Sequence, residues 1–214
     1  MRYDYDDLYQ LVEAGTWAGS TLKYEYDLVG NIERVAEVKG GETVGIEEYR
    51  YFEEKQDASP HKGMNRLWKI EYDEDGNGSM ADAVDYTVSY DYDANGNMVG
   101  RDVAYNDPVK ADESWSYGYD ADDRMVKVRK DGAVVAEYGY DALGRRVVKD
   151  VAGEPAEIMV YDDEDVVKAE SGGVVEKRFV HGPGIDDYVA MVRPDGLPEA
   201  GTYNYHADGL GSVT

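Results

Sequence analysis

The feature that most restricts this chain is a short unit that recurs along it, written most clearly in Tyr138-Gly139-Tyr140-Asp141-Ala142-Leu143-Gly144-Arg145. Two tyrosines flank a small residue, an Asp follows, and a Gly stands three positions after the Asp. The same frame returns at Asp6, Asp27, Asp73, Asp93, Asp120, Asp141 and Asp162, at intervals of 21, 46, 20, 27, 21 and 21 residues. The interval of 46 divides in two if Tyr49-Arg50-Tyr51-Phe52 is a degenerate copy. Further degenerate copies stand at Arg178-Phe179-Val180-His181 and Tyr203-Asn204-Tyr205-His206. The chain is therefore expected to be a single array over 1–214 of about ten units, each of about 21 residues, with its core spread along the array and not gathered at one centre.

Each unit predicts a hairpin. Tyrosines at i and i+2 share one face of a strand, and the small or polar residue between them takes the other. The Asp can accept from its own backbone in an Asx-type turn, and the Gly can take positive φ. The structural positions read this way are Tyr24, Tyr26, Asp27 and Gly30; Tyr90, Tyr92, Asp93 and Gly96; Tyr117, Tyr119 and Asp120; Tyr138, Tyr140, Asp141 and Gly144; and Tyr203, Tyr205, His206 and Gly211. A second joint, such as Asp131-Gly132, Gly40-Gly41, Gly172-Gly173 or Asp195-Gly196, carries the strongest short-range hairpin signal and turns the chain again. The predicted fold is all-β: tandem antiparallel hairpins, two strands per repeat. No window of 12 or more residues keeps a helical apolar stripe without a Gly or Asp-Gly breaking it. Irregular connections are expected near 53–68 and 105–113, projecting from the sheet.

Charge and composition exclude several classes. With 46 acidic against 22 basic residues, the net charge of −24 repels a phosphate backbone, so neither nucleic acid nor an anionic membrane is expected as a partner. No cysteine is present, which removes disulfides, thiolate catalysis and Cys-zinc sites together. No apolar run is long enough for membrane insertion, and no signal peptide precedes the first repeat. Because Met1 enters a repeat almost at once, the expectation is a piece of something longer. There are 20 Tyr against 2 Phe and 3 Trp, so the aromatic surface carries a hydroxyl almost everywhere, which suits a sheet wet on at least one face.

Few groups stand out as sites. Asp73, Asp75, Asn77 and Ser79 place oxygen donors at positions 1, 3, 5 and 7 with Gly76 at 6, the first half of a calcium loop of EF-hand type. Position 12 is Val84, where a bidentate Glu is needed, although Asp82 or Asp85 can substitute. The competing reading is a plain acidic hairpin turn. His206, Asp208 and Ser212 are the residue types of a triad, but closeness in sequence does not orient a base on a nucleophile, and no catalysis is expected from them. His181 reads as a strand-end residue and His61 as a loop residue. Paired carboxylates for glycoside hydrolysis arise by chance in so acidic a chain. The tyrosine rows serve either as carbohydrate-stacking platforms or as cross-strand packing, worth about 0.2–1 kcal/mol per pair.

Tandem Tyr-x-Tyr-Asp-x-x-Gly-Arg units at this spacing resemble the Rhs or YD-repeat family, which includes bacterial Rhs polymorphic toxins, the C component of insecticidal toxin complexes and animal teneurins. The resemblance covers essentially the whole chain. Its terminal core segment is similar to 174–214 here, through Val174 to Asp187 and Tyr203-Asn204-Tyr205-His206-Ala207-Asp208-Gly209-Leu210-Gly211-Ser212-Val213-Thr214. The resemblance implies a curved ribbon that spirals into a hollow shell around a C-terminal toxin, and an extracellular, secreted or cell-surface location. Family shells use several times as many repeats, so ten units imply a strip of wall. The expected function is a non-catalytic structural scaffold, with no cofactor, that encloses or presents a polypeptide cargo. The alternatives are a self-associating element that pairs strand edges with other copies of itself, and an acidic calcium- or carbohydrate-binding module.

Overall fold

The structure is a computed structural model that describes residues 2–51, 66–184 and 188–206. Among them seventeen strands form and no helix: β1 (Tyr3–Tyr5), β2 (Leu11–Gly15), β3 (Thr21–Tyr26), β4 (Ile32–Lys39), β5 (Glu42–Tyr51), β6 (Leu67–Asp73), β7 (Tyr86–Tyr92), β8 (Met98–Tyr105), β9 (Glu113–Tyr119), β10 (Met125–Lys130), β11 (Ala133–Tyr140), β12 (Arg146–Val151), β13 (Glu157–Asp162), β14 (Asp165–Ser171), β15 (Val174–His181), β16 (Tyr188–Arg193) and β17 (Gly201–Asn204). The chain divides into two compact units, Met1–Tyr117 with Lys130–Gly132, and Gly118–Arg129 with Ala133–Thr214. In the first, each strand from β1 to β9 pairs antiparallel with the next in sequence. In the second, β11 to β17 do the same. The fold class is all-β, built of tandem antiparallel hairpins.

The core is strung out at about one residue per strand. In the first unit Ala14, Ala36, Ile46, Ile70, Val88 and Val103 are buried, and in the second Val128, Ala136, Ala169 and Ala190. Register explains the rows: Ile70 faces Val88, which faces Val103, and Ala36 faces Ile46, which faces Asp73. Most other strand residues are half-buried. Little apolar area is therefore removed from water at any one place, and stability depends on the couplings between neighbouring strands.

One irregularity repeats. The ladder slips by a residue immediately before the second tyrosine of the unit, at Glu25/Tyr26, Arg50/Tyr51, Asp91/Tyr92, Gly139/Tyr140 and Val160/Tyr161, and again at Val180/His181. A bulge of this kind raises local twist and re-aims the side chain beside it.

Of the two irregular connections, 53–65 lies outside the described residues, and Leu67 and Trp68 belong to β6. The second, 106–112, is held down at its start. Asn106 N–H donates to the Asp85 carbonyl at 3.1 Å, and Asn106 Nδ2 donates to the Met80 carbonyl at 3.1 Å.

Candidate functional site

The repeated Asp is a turn builder with no free valence. Asp141 Oδ1 accepts from Leu143 N at 2.9 Å and Arg145 N at 3.0 Å, while Oδ2 accepts from Arg145 Nε at 2.7 Å. The backbone closes around it through Asp141 N to Arg145 O and Gly144 N to Asp141 O, both 3.0 Å. Asp27, Asp93 and Asp120 repeat this pattern, with Asn31, Asn97 and Arg124 four residues on supplying the side-chain donor. Asp6 keeps the backbone part, accepting from Leu8 N and Gln10 N at 2.8 Å each. The position three after the Asp has positive φ in most copies: 93° at Gly30, 68° at Gly76, 102° at Gly96 and 82° at Gly144, but also 62° at Tyr9 and 59° at Asp123; after Asp162 the positive φ falls instead on Asp163, at 52°. Glycine is thus the easy solution there, and the carboxylate holds the turn where Gly is missing.

These contacts shift the carboxyls in one direction. The Asn97 amide and three backbone N–H groups hold Asp93 below the usual carboxylate range. The Arg124 guanidinium does the same at Asp120. At Asp141 partial burial pushes upward, but Arg145 and the turn N–H groups outweigh it and the net shift is downward. At Asp27 burial is likewise outweighed, here by Asn31. Hydrogen bonds to the charged form favour that form.

The second tyrosine ties each unit to the one before. Tyr26 donates its hydroxyl to the Leu11 carbonyl, Tyr92 to Leu67 and Tyr140 to Met125, each at 2.8 Å, and Tyr161 donates to Arg146 at 2.9 Å. For Tyr26, Tyr140 and Tyr161 the acceptor lies just past the preceding Asp turn, and for Tyr92 it is the first residue of β6. His181 takes the same place in the degenerate copy, with Nε2 2.8 Å from the Val166 carbonyl and its ring 4.5 Å from that of Tyr188. The arginines add a second tie: Arg124 lies 5.0 Å over the Tyr140 ring and Arg145 4.8 Å over Tyr161. Asp, Arg and the next tyrosine therefore form one chain of contacts running from repeat to repeat.

The first tyrosines, Tyr24, Tyr90 and Tyr138, pair across the ladder with Val35, Arg101 and Lys149. Tyr117 and Tyr119 lie in β9. At the far end Tyr203 lies in β17 and donates its hydroxyl to the Glu199 carbonyl at 2.6 Å, and Tyr205 N–H donates to the Val189 carbonyl at 3.0 Å. His206 lies just past β17, while Gly211, Asp208, Ser212 and His61 are outside the described residues.

Among the described residues the acidic loop after β6 is the one place where three carboxylates converge. Asp73, Asp75 and Asp85 bring an oxygen each within 4.8 Å of one another, and Asp73 and Asp85 are each only 1% exposed. Asp73 accepts from Gly76, Asn77 and Gly78 N–H at 2.6, 3.2 and 2.7 Å. Asp85 accepts from Glu74 and Asp82 N–H at 3.1 and 2.8 Å. Asn77 Nδ2 donates to both Asp75 and Asp82, and Asn77 Oδ1 accepts from Ser79 N, so Asn77 and Ser79 serve the loop itself. Gly76, at φ 68°, seats the loop on β5: a Cβ there would stand 2.6 Å from the Thr43 carbonyl oxygen.

The second tyrosine's hydroxyl bond and the residue four after the Asp were not singled out from sequence as linking groups. The available signal is the interval of 15 residues between that tyrosine and its acceptor at Tyr26, Tyr140 and Tyr161, which lengthens to 25 at Tyr92.

This geometry defines a class: an all-β array of hairpin repeats whose recurring polar residues are spent on turns and on joining one repeat to the next. The model of the family described as teneurin YD-shell matches residues 1–168, and the chain belongs to that family. Crystal structures described as TcdB2-TccC3-Cdc42 and TcdB2-TccC3 are similar to it at 11% and 13% identity, each with TM-score 0.49, covering 99% of this chain and 12% and 13% of theirs. The Photorhabdus luminescens Tc holotoxin pore is similar at 13% identity and TM-score 0.40, again covering 99% of this chain and 13% of that one. The chain thus spans a small fraction of the length of these structures. A search of the curated proteins finds no match.

Proposed function

We propose that this chain is a non-catalytic stretch of YD-shell wall whose role in its parent protein is to enclose or present a polypeptide. The observation that carries this reading is the commitment of Asp27, Asp93, Asp120 and Asp141, of Arg124 and Arg145, and of the second tyrosines Tyr26, Tyr92, Tyr140 and Tyr161 to turns and to neighbouring repeats. Membership of the YD-shell family supports it and favours an extracellular setting. The test is local protection. A strip of wall shields only the part of a passenger that packs on it, so an unstructured passenger fused after Thr214 should show a subset of slowed cleavage sites when its digestion by a broad protease is mapped by mass spectrometry. Cleavage at every site as fast as in the free passenger, with the wall intact on the gel, would remove the enclosing or presenting role.

A second reading, a calcium-binding loop, is favoured by the convergence of Asp73, Asp75 and Asp85. Carboxylates this close and this shielded from water repel one another unless donors or a cation compensate. The five backbone N–H groups already described are the compensation a plain turn needs. Calcium would compensate further, raising Tm on titration in the parent and not in Asp85→Asn. A Tm independent of calcium leaves the plain turn.

A further inference from the structure

A shallow cleft of about 330 Å³ in the first unit is bordered by Tyr86 of β7, Arg101 and Tyr105 of β8, Lys110 of the following connection, and Glu74 and Glu113. Its wall is aromatic. Tyr86 stacks on Tyr72 at 4.3 Å with 11° between the planes, and leans on Tyr105 at 5.6 Å. Burial, with Glu74 and neighbouring tyrosines, pushes the Tyr86 phenol up to about 12, so the wall stays neutral. Lys110 Nζ is poised 5.2 Å over the Tyr105 ring.

Arg101 is the guanidinium of the cleft. Arg124 and Arg145 each grip a carboxylate at 2.6–2.8 Å. Among the described residues Arg101, like Arg129, Arg146 and Arg178, forms no ion pair. Glu113, which borders the same cleft, binds Lys130 at 2.9 Å and accepts from Trp115 Nε1 at 3.3 Å, and these partners, with the more distant charge of Arg101, hold it anionic below the usual range. The cleft therefore combines a guanidinium with unspent donors, a second cation, flat neutral rings and two carboxylates that accept only. Its polar lining does not suit a lipid or other largely apolar ligand. A polyphosphate or nucleic acid packs its charges on adjacent groups, more than Arg101 and Lys110 can offset beside Glu74 and Glu113, whereas a uronate carries one charge per ring. The chemistry that satisfies every wall at once is a ring with an apolar C–H face, one carboxylate and several hydroxyl donors.

We propose that this cleft binds an acidic saccharide of the uronate class. The sugar carboxylate pairs with Arg101 and Lys110, a C–H face lies on Tyr86 and Tyr105, and hydroxyls donate to Glu74 and Glu113. An acidic peptide can pair with Arg101 and Lys110 and donate N–H groups to Glu74 and Glu113, but its acidic side chains bring no ring face for Tyr86 and Tyr105. The site is independent of the shell-wall reading, and either can fail alone.

The experiment titrates the full chain with tri-galacturonate, its neutral counterpart tri-galactose, and a Glu-rich hexapeptide, by calorimetry and amide chemical-shift mapping. The expected result is saturable binding of tri-galacturonate with shifts centred on β7, β8 and 106–112. Binding of tri-galactose and of the peptide should be at least tenfold weaker, as should binding of tri-galacturonate to Arg101→Gln, and Arg101→Lys should recover part of the loss. The exposed-position variant Lys110→Gln, which leaves every strand untouched, should weaken binding severalfold and keeps the test decisive if Arg101→Gln fails to fold. Absence of saturable binding, shifts elsewhere on the chain, or equal binding of the peptide or the neutral sugar overturns the proposal.

Discussion

A carboxylate that accepts from two backbone N–H groups and one side-chain donor has its lone pairs spent, and this is the state of Asp141. Asp141→Ala should therefore lower Tm clearly and Asp141→Asn less, since Asn retains one acceptor for the two N–H groups. Equal effects of the two in thermal melts would show that the charge on Arg145 matters more than the turn. The tyrosine hydroxyl is a separate increment. Tyr140→Phe deletes the bond to the Met125 carbonyl while keeping the ring under Arg124, and a net hydrogen bond of this kind contributes about 0.5–1.5 kcal/mol. Denaturant melts should show a loss in that range, and no loss would mean water replaces the hydroxyl fully. Gly144, at φ 82°, has open space around it except for an Arg124 nitrogen at 3.5 Å, so Gly144→Val tests backbone strain almost alone. A β-branched residue at positive φ should cost on the order of 1–3 kcal/mol in the same melts, and a Tm equal to the parent's would refute the turn geometry.

At the scale of the element, each hairpin buries so little that single core residues matter. Val88, 2% exposed, links Ile70 to Val103 across three strands, and Val88→Ala removes two methyl groups and leaves a cavity. The expected loss is about 2 kcal/mol from transfer and cavity terms together, read by urea denaturation. The hairpins themselves were legible in the sequence, because Tyr-x-Tyr-Asp-x-x-Gly carries both the strand period and the turn. The joints between hairpins were not. Tyr140 meets the Met125 carbonyl only after the chain has folded back, and the residue four after Asp varies as Gln10, Asn31, Asn97, Arg124 and Arg145, which hides one constant place behind three residue types. Tyr9 and Asp123 stand where the motif has Gly, so a strict glycine pattern undercounts the turns. The acidic loop was visible as a run of oxygen donors, but the pairing of Asp73 with Asp85 across the loop depends on Gly76 seating it against Thr43. The Arg101 cleft had no sequence signal, since its parts come from three strands, the loop after β6 and the 106–112 connection.

Over the whole molecule the same contacts set the response to pH and salt. Asp27, Asp93, Asp120 and Asp141 are held below their unfolded values, so the stability they contribute is present above about pH 4 and is lost as pH falls through their folded values. Tyr26, Tyr51, Tyr72, Tyr86 and Tyr92 are shifted upward, chiefly by burial, so their contribution is complete below about pH 10 and is lost as pH climbs, to about 12 for Tyr86. Stability should form a plateau between these limbs. On that plateau two effects of salt oppose each other. Screening weakens the surface ion pairs, such as Arg34 with Glu25 and Lys127 with Glu137, which are worth about 0–1 kcal/mol apiece. It also relieves the repulsion within a chain of net charge −24, where most acidic groups have no basic counterpart to pair with. The second effect is the larger, because 46 acidic groups face only 22 basic ones. Raising sodium chloride from 20 to about 300 mM at neutral pH, which shortens the screening length to well below 10 Å, should raise Tm. A fall in Tm over that range would mean that the ion pairs running between repeats hold the array together more strongly than its net charge pushes it apart.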